Sequence, residues 1–439
     1  MWSRHEDGPC VAYAVAGIES SGRTNRRKGQ EMTTFEKIKV WGIRGVIDYM
    51  VRRYHERRVS RMFWDNAKRY PSANPERGIT VVGPISDRGS LSKTLRDFCF
   101  SLKDAGIQFQ TFDLGSNSVP EEDVMPILTP REDFRIARYT HLVEMISSPV
   151  PEGIVRNRGR IVFWEFESGL EQGYPVLFER PGDIIGMSDF NYNYYRRAFH
   201  GRRNVRKILY PLRIEATPEL SLAEARSRFS IPQDDFVVFY NFSYKSGIDR
   251  KNPEGAIRAF AKAFSGRQDA RMVLKTVSAK EFPGRVKQLR DIAVNLGVSD
   301  RVVFVDDFLT QRDVLNLTNA CDVYLSLHRA EGFGLGIAEA MSLGKPVVVT
   351  DYSSTTEFCN AGNAIPIGYS LVKLQKTENN LYNAAEDWAE PDVDEAAKAL
   401  VNLYVDRDKG SRIGAVARES IFRQYSIDNF RKSVLEYLS

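Results

Sequence analysis

Blocks of consecutive apolar residues recur along this chain, separated by longer stretches in which apolar and polar positions mix at helical spacing. From Gly78 the order is regular. GITVVG, GIQFQTFDL, YTHLVEMI, RIVFWEF and DIIGMS read as short buried strands. A helix is expected near Lys93–Ala105 and another at DFNYNYYRRAF, and RKILYPL closes this half. Pro211–Asp235, rich in Pro, Glu and Ser, reads as a connection. Then the pattern repeats as FVVFYNF, a helix Pro253–Phe264, RMVLKT, a helix near Val286–Leu296, RVVFVDD, a helix Gln311–Asn319, DVYLSL, a short helix, PVVVT and AIPI. Helices fill the end, from about Glu395 to Leu438. Apolar strands alternating with helices predict parallel sheets covered on both faces. The fold class is therefore α/β, with two Rossmann-like doubly wound domains at 78–210 and 236–420 joined by a linker at 211–235.

The start of the chain reads differently. Residues 1–31 are polar and rich in Gly and Ser, and are expected to be a disordered tail. Residues 32–77 form a basic amphipathic segment. Ile43, Val46, Ile47, Met50, Val51 and Tyr54 recur at helical spacing, flanked by Arg52, Arg53, Arg57, Arg58 and Arg61. Two readings stay open for 33–70: peripheral contact with an anionic membrane, or a helix packed on the first domain. Gly42 and Gly45 weaken an isolated helix and favour the second.

Composition narrows the class. The 439 residues are 42% hydrophobic and 27% charged, with net charge +5, which suits a globular protein and does not argue for nucleic-acid binding. Cys10, Cys99, Cys321 and Cys359 are far apart and form no ligand pattern, so they read as thiols of a reducing compartment. No apolar run is long enough to span a membrane, and no signal peptide is expected. The expected location is cytoplasmic, with a peripheral position at the inner face of the membrane left open.

The chemistry concentrates in Glu331–Thr350, EGFGLGIAEAMSLGKPVVVT. Glu331 and Glu339 flank a turn containing Gly332, Gly334 and Gly336, and the order is strand, Gly-rich turn, helix, strand. Glycines let a ligand approach the backbone N–H groups, and the helix start adds partial positive charge. Such a turn suits a diphosphate, and carboxylates beside it suit hydroxyl groups. Together they suit a sugar nucleotide.

The string resembles the nucleotide-sugar signature of the retaining glycosyltransferases of the GT-B fold, the glycosyl transferases group 1. The matching residues are Glu331, Gly332, Phe333, Gly334, Leu335, Glu339, Ala340, Gly344, Pro346, Val347 and Val348, with Gly336 a departure that loosens the turn. Tyr240–Phe264 resembles the family's first strand, loop and helix of the nucleotide domain. Lys251 matches the family lysine, and Lys245 falls where an arginine usually stands. The loop after ITVVG resembles the family's Gly-rich loop facing the diphosphate, which marks Gly89 and Ser90, although a plain turn also fits. LSLHRAEGFGL and TDYSSTTEF resemble a bacterial subgroup of surface-polysaccharide assembly. That would put Ser353, Ser354 and Thr355 near the donor, with helix capping as the other reading.

This resemblance implies two domains facing across a cleft, with a last helix at 421–439 crossing back to the first. It implies retaining transfer of a sugar from a nucleotide-diphosphate sugar to a glycan or lipid-linked acceptor, in polysaccharide biosynthesis. Lys251, Lys245 and the turn amides would take the charge of the leaving diphosphate. Glu331 would orient the sugar, and Glu339 would hold the ribose. The acceptor hydroxyl is expected to attack from the leaving-group face, with the phosphate oxygen helping to take its proton. No metal and no cofactor is expected. For His141 two readings stay open, a residue facing the cleft or a core histidine, with the core reading favoured, and His328 is expected to be a supporting residue. The alternatives are a non-catalytic sugar-nucleotide-binding subunit and a nucleotide-sugar epimerase.

Overall fold

A computed structural model describes residue 54 and residues 56–439, except 73, 146–149, 152, 156, 214–217, 307–308 and 375–386. The expectations for residues 1–31 and for the amphipathic stretch as far as residue 53 lie outside these.

Two six-stranded sheets dominate. The first holds β1 (Glu76–Gly83), β2 (Phe109–Asp113), β3 (Tyr139–Met145), β4 (Asn157–Ile161), β5 (Asp183–Gly186) and β6 (Val205–Lys207), in the order β2-β1-β3-β4-β5-β6. The second holds β7 (Phe236–Ser243), β8 (Ala270–Val277), β9 (Val302–Val305), β10 (Val323–Ser326), β11 (Val347–Thr350) and β12 (Ile365–Ile367), in the order β12-β11-β10-β7-β8-β9. All pairings within them are parallel. Their apolar runs are buried, as parallel strands covered on both faces require. In each sheet the chain leaves its first strand in both directions. β1 lies between β2 and β3, and β7 lies between β8 and β10. At such a switch point the loops after the strands diverge and leave a crevice, which is where open α/β sheets bind ligands.

The helices that matter are α1 (residues 56–69), α2 (Ser90–Asp104), α3 (Asp189–Ala198), α4 (Leu222–Arg228), α5 (Pro253–Ala263), α6 (Pro283–Asn295), α7 (Gln311–Asn319), α8 (Leu335–Ser342), α9 (Val393–Val405), α10 (Arg407–Gln424) and α11 (Ile427–Tyr437). None of the described helices is long and apolar enough to cross a membrane. Helix α1 packs on the first domain. Phe63 is fully buried beside Phe112 and Phe134, with Val59, Met62 and Ala67 around it. Asn66 donates to the Phe134 carbonyl at 3.0 Å and accepts from the Ile136 N–H at 2.9 Å. Arg57, Arg58 and Arg61 stay exposed on the other face.

The last helix does lie on the first domain. Phe430 meets Phe98 of α2 at 5.7 Å, and Tyr437 meets His141 at 5.0 Å. Ser433 accepts from the Leu209 N–H at 3.0 Å. The chain switches domains between α10 and α11.

Three features differ from the sequence expectation, and a fourth decides between two readings. The RIVFWEF run leaves the sheet at Ile161, because its Trp164 and Phe166 are buried in a separate aromatic cluster at the end of the strands. The stretch 211–235 is not a bare linker: α4 docks on the second domain. Arg226 pairs with Asp322 at 2.8 Å and donates to the Ala320 carbonyl at 3.0 Å. An antiparallel hairpin of β13 (Tyr369–Lys373) and β14 (Asp387–Pro391) follows β12, where only AIPI was expected. His141 sits near the start of β3, bonded to Thr140 at 2.9 Å and covered by Tyr437. That is the end of the sheet away from the crevice, so His141 does not face the cleft.

Helices α8 and α10 approach closely at glycines. A Cβ added at Gly414 would overlap the carbonyl oxygen of Gly344, the residue that ends the signature helix. Alanine normally favours a helix over glycine by about 1 kcal/mol. Here Gly414→Ala is expected to destabilise by about 1–3 kcal/mol, the usual scale of overpacking. A thermal melt checks this, and a raised Tm would show that the two helices are not in backbone contact.

Candidate functional site

The site forms where the loops after β7 and β10 lie side by side. After β7 the chain makes a helical turn, Ile248–Lys251, and enters α5. Asn252 joins the two in a left-handed conformation (φ 51°). Its side chain caps α5 by accepting from the Gly255 N–H at 3.0 Å, and donates to the Leu327 carbonyl of the neighbouring loop at 2.9 Å. The Arg329 N–H donates to the Arg250 carbonyl at 2.8 Å, and Arg250 Nη1 donates to the Ala330 carbonyl at 2.7 Å. Tyr240 Oη donates to the Lys251 carbonyl at 2.6 Å. One loop therefore fixes the other before any side-chain charge is considered.

Into this frame project two cations and one carboxylate. Lys251 Nζ and Glu331 Oε1 form a short ion pair, and Arg250 Nη1 lies 3.3 Å from Glu331 Oε2. The Glu331 backbone N–H donates to Ser353 Oγ at 2.8 Å. Burial alone would raise the Glu331 pKa, but Lys251 and Arg250 together outweigh it and hold the carboxyl at about 2. Burial pulls the Lys251 ammonium below its ordinary value, with Glu331 acting against that. Arg250 also reaches the first domain, 3.5 Å from Glu165 Oε1.

The Gly-rich turn follows at once. Gly334 precedes α8 with φ 95°, and no side chain caps that helix. Gly89 precedes α2 with φ 121°, again with no side-chain cap. Helices α3, α5, α7, α9, α10 and α11 are all capped by Ser, Thr, Asn or Asp side chains. Their first N–H groups gain a partner that α2 and α8 lack. Gly334 tolerates no side chain, since a Cβ would stand 2.7 Å from Thr355 Cγ2. At Gly336 a Cβ would stand 2.5 Å from Asn241 Oδ1 and 2.6 Å from Tyr324 Oη. Gly336 thus does not loosen the turn; it lets α8 press against β7. Leu335 opens α8 and is partly buried against the core.

Phe333 turns inward. Its ring stacks on Tyr210 of the first domain at 3.7 Å and 6°, and Phe358 and Tyr425 close the cluster. A ligand can therefore meet Phe333 only through its backbone. Glu339, on α8, accepts from Gln311 Nε2 at 2.8 Å and lies 3.7 Å from Lys93 Nζ of α2. Burial raises its pKa, and Lys93 offsets this in part. Lys93 itself pairs with Asp97 at 2.6 Å. Glu331 and Glu339 are only 6% and 7% exposed, so the two walls of the cleft meet over both.

The remaining candidates are placed as follows. Lys245 is on the surface, paired with Glu281 at 2.8 Å and with no member of the Glu331 cluster among the described ion pairs. The cation beside Lys251 in that cluster is Arg250. Ser90 opens α2 beside Gly89. Ser353 holds the Glu331 backbone, Ser354 Oγ meets Ser188 Oγ across the domains at 3.1 Å, and Thr355 donates to the Tyr352 carbonyl at 3.0 Å. His328 is fully buried, bonded to Ser326 Oγ and the Tyr352 carbonyl at 3.2 Å each. Burial pushes its pKa down to about 4, so it is neutral and props the loop that carries Glu331. Sequence reasoning missed Arg250, Lys93 and Glu165. Arg250 stood next to Lys251 in DRKNP, and Glu165 ended an apolar run at the carboxyl side of a strand. Both signals were present.

The arrangement offers cations and helix N-terminal amides on one side and carboxylates on the other. Its charge state yields a prediction. The folded Glu331 carboxyl titrates below its ordinary 4.5, so it contributes stability above about pH 4.5, lost as the pH falls toward about 2. Glu331→Gln removes the counter-charge that Lys251 and Arg250 share and is expected to lower the Tm at neutral pH. It should also flatten the Tm decline between about pH 4.5 and about pH 2. Melts that fall equally steeply in both proteins would show that Glu331 is not held ionised.

Comparisons with known proteins bear on the region that carries this site. Residues 224–376 match the family described as glycosyl transferases group 1. The lipopolysaccharide core biosynthesis mannosyltransferase LpsB of Rhizobium meliloti (strain 1021) is 33% identical over 76 residues, 17% of this chain and 21% of that one. The N-acetyl-alpha-D-glucosaminyl L-malate synthase of Bacillus anthracis is 24% identical over 204 residues, 46% of this chain and 45% of that one. The chain thus spans less than half the length of the curated relatives it matches. Among solved structures, sucrose-phosphate synthase from Thermosynechococcus elongatus superposes with TM-score 0.59 at 14% identity, covering 82% of this chain and 98% of that one. Anabaena HepE in complex with UDP-glucose gives 0.58 at 17%, covering 82% and 99%. These likenesses establish the two-domain GT-B fold.

Proposed function

We propose, for a chain whose residues 224–376 belong to the glycosyl transferases group 1 family, that the protein is a retaining glycosyltransferase. It moves a sugar from a nucleotide-diphosphate donor to a glycan or lipid-linked acceptor in polysaccharide assembly. The observation that carries this reading is the buried carboxylate of Glu331 shared by Lys251 and Arg250, beside the uncapped start of α8. A buried carboxylate set against two cations is a poor structural device, because desolvation offsets most of the attraction. It is a good site for an anion that can take those cations over. The names of the relatives, a mannosyltransferase of lipopolysaccharide core biosynthesis among them, support a sugar donor and a glycan acceptor.

In this reading the diphosphate is held by Lys251, Arg250 and the amides after Gly334. Their charge matches the charge that grows on the leaving group. Glu331, released from the cations, accepts hydrogen bonds from hydroxyls of the donor sugar. Glu339 turns from Gln311 and Lys93 to the ribose, which requires the walls of the cleft to part for entry. Gly89 and Ser90 bring another helix without a side-chain cap to the donor, with Lys93 in its first turn. Lys245 lies farther out on the same loop and can meet the donor only at its edge. The basic face of α1, Arg57, Arg58 and Arg61, supports peripheral contact with an anionic membrane at the cytoplasmic side, where a lipid-linked acceptor would be met.

The experiment is transfer from a panel of nucleotide-diphosphate sugars, with the product anomer read by NMR. Retained configuration and activity that survives EDTA are expected, because cationic side chains and helix amides supply the charge. An inverted product, or activity lost to EDTA and restored by manganese, would contradict the reading. Binding without turnover would favour a non-catalytic subunit, and donor isomerisation without acceptor an epimerase. Lys251→Ala should lower turnover about 10²–10³-fold, the scale of losing one preorganised electrostatic group. It should also weaken binding of the free nucleoside diphosphate. Wild-type behaviour in both assays would make Lys251 a bystander.

A further inference from the structure

Glu165 stands on the first-domain wall of the cleft, opposite Glu331. Strand β4 ends at Ile161, and the chain beyond it is clamped by fully buried Trp164 and Phe166. Trp164 Nε1 donates to the Ser168 carbonyl at 2.7 Å, and its own carbonyl accepts from Asn191 Nδ2 at 2.5 Å. Between these anchors Glu165 is held toward the second domain. Its Oε1 lies 3.5 Å from Arg250, and its Cγ lies 3.8 Å from where a Cβ of Gly332 would be.

Glu165 and Glu331 both feel Arg250 and Lys251, but only Glu331 is paired directly with Lys251. Glu331 has Lys251 as well, and its backbone N–H is taken by Ser353. Two cations make it a weak proton acceptor, with a pKa of about 2. Burial raises the pKa of Glu165, Arg250 offsets this only in part, and the charge on Glu331 adds to the rise. Two carboxylates pushed apart in this way have different tasks available to them. The one that holds a proton more firmly is the better base.

We propose that Glu165 receives the incoming acceptor hydroxyl and takes its proton during transfer. The inference rests on the glycosyl-transfer reading. Retention with attack from the leaving-group face brings the hydroxyl beside the cations that hold the diphosphate, and Glu165 already touches one of them. In the step, a lone pair of the acceptor oxygen forms the new bond to the anomeric carbon. The old bond from that carbon to the phosphate oxygen breaks, and its electron pair leaves on the diphosphate held by Lys251 and Arg250. The acceptor proton passes to the Glu165 carboxylate, which returns it to solvent or to the departing phosphate. Water can stand in for the acceptor, giving free sugar and nucleoside diphosphate.

That substitution makes the test independent of the natural acceptor. UDP-glucose, UDP-N-acetylglucosamine and GDP-mannose serve as donors, with hydrolysis followed by release of nucleoside diphosphate and affinity by calorimetry. Glu165→Gln keeps the shape and a hydrogen bond to Arg250. It is expected to slow hydrolysis about 10²-fold or more, the scale of a lost general base, with donor affinity changed less than about threefold. Glu165→Ala should be equally slow and partly recovered by sodium formate, a rescue that a structural anchor would not show. Hydrolysis at the wild-type rate in Glu165→Gln overturns the proposal. So does a loss of affinity as large as the loss of rate, which would make Glu165 only a prop for Arg250. Wild-type protein that turns over none of the donors would instead overturn the transferase reading itself.

Discussion

The structure of the cleft depends on one interaction, the carboxylate of Glu331 buried between Lys251 and Arg250. Each of these charges costs several kcal/mol to take out of water, and mutual attraction roughly repays it. The fold accepts this arrangement because the backbone leaves no alternative. Asn252 ties the β7 loop to the β10 loop, and Arg250 and Arg329 exchange bonds with each other's loop. Side chains at 250, 251 and 331 must then meet. The balance is close enough to neutral that an incoming dianion could take both cations from Glu331 at little cost, leaving the carboxylate for hydroxyl groups.

Around that pair the two domains close by contacts of different kinds. Phe333 stacks on Tyr210, next to the connection between domains, and Tyr210 Oη bonds Thr94 of α2 at 2.8 Å. Lys93 reaches Glu339, Glu165 reaches Arg250, and Ser188 meets Ser354. The aromatic stack lies at the Gly-rich turn itself, since Phe333 stands between Gly332 and Gly334. The polar contacts bridge the same two domains through side-chain charge and hydroxyl groups.

Much of this was legible in the sequence, for identifiable reasons. Strands such as FVVF and PVVVT are continuous apolar runs because both faces of a parallel sheet are covered, and they were found within a residue or two. Glu331 and Glu339 could be named because a Gly-rich turn before a helix is a local pattern, and Lys251 because Tyr240–Phe264 resembles a family segment. What failed was nonlocal. RIVFWEF looks like one strand, and only the aromatic cluster around Trp164 shows why it leaves the sheet and delivers Glu165. Lys245 and Arg250 are both basic residues of one loop. The helical turn Ile248–Lys251 decides between them, with a left-handed Asn252 that no composition signal marks. Gly336 looked like a defect until Asn241 was seen to need its space. His141 had two readings, cleft or core, because a strand's period does not say which end of the sheet a position occupies; Tyr437 covers it away from the crevice.

The most direct measurement is a crystal structure with a nucleoside diphosphate bound. The account predicts the diphosphate beside Gly334, with Lys251 Nζ and the Arg250 guanidinium moved from Glu331 to phosphate oxygens at about 3 Å. A diphosphate bound elsewhere, with Lys251 and Arg250 still paired to Glu331, would contradict it.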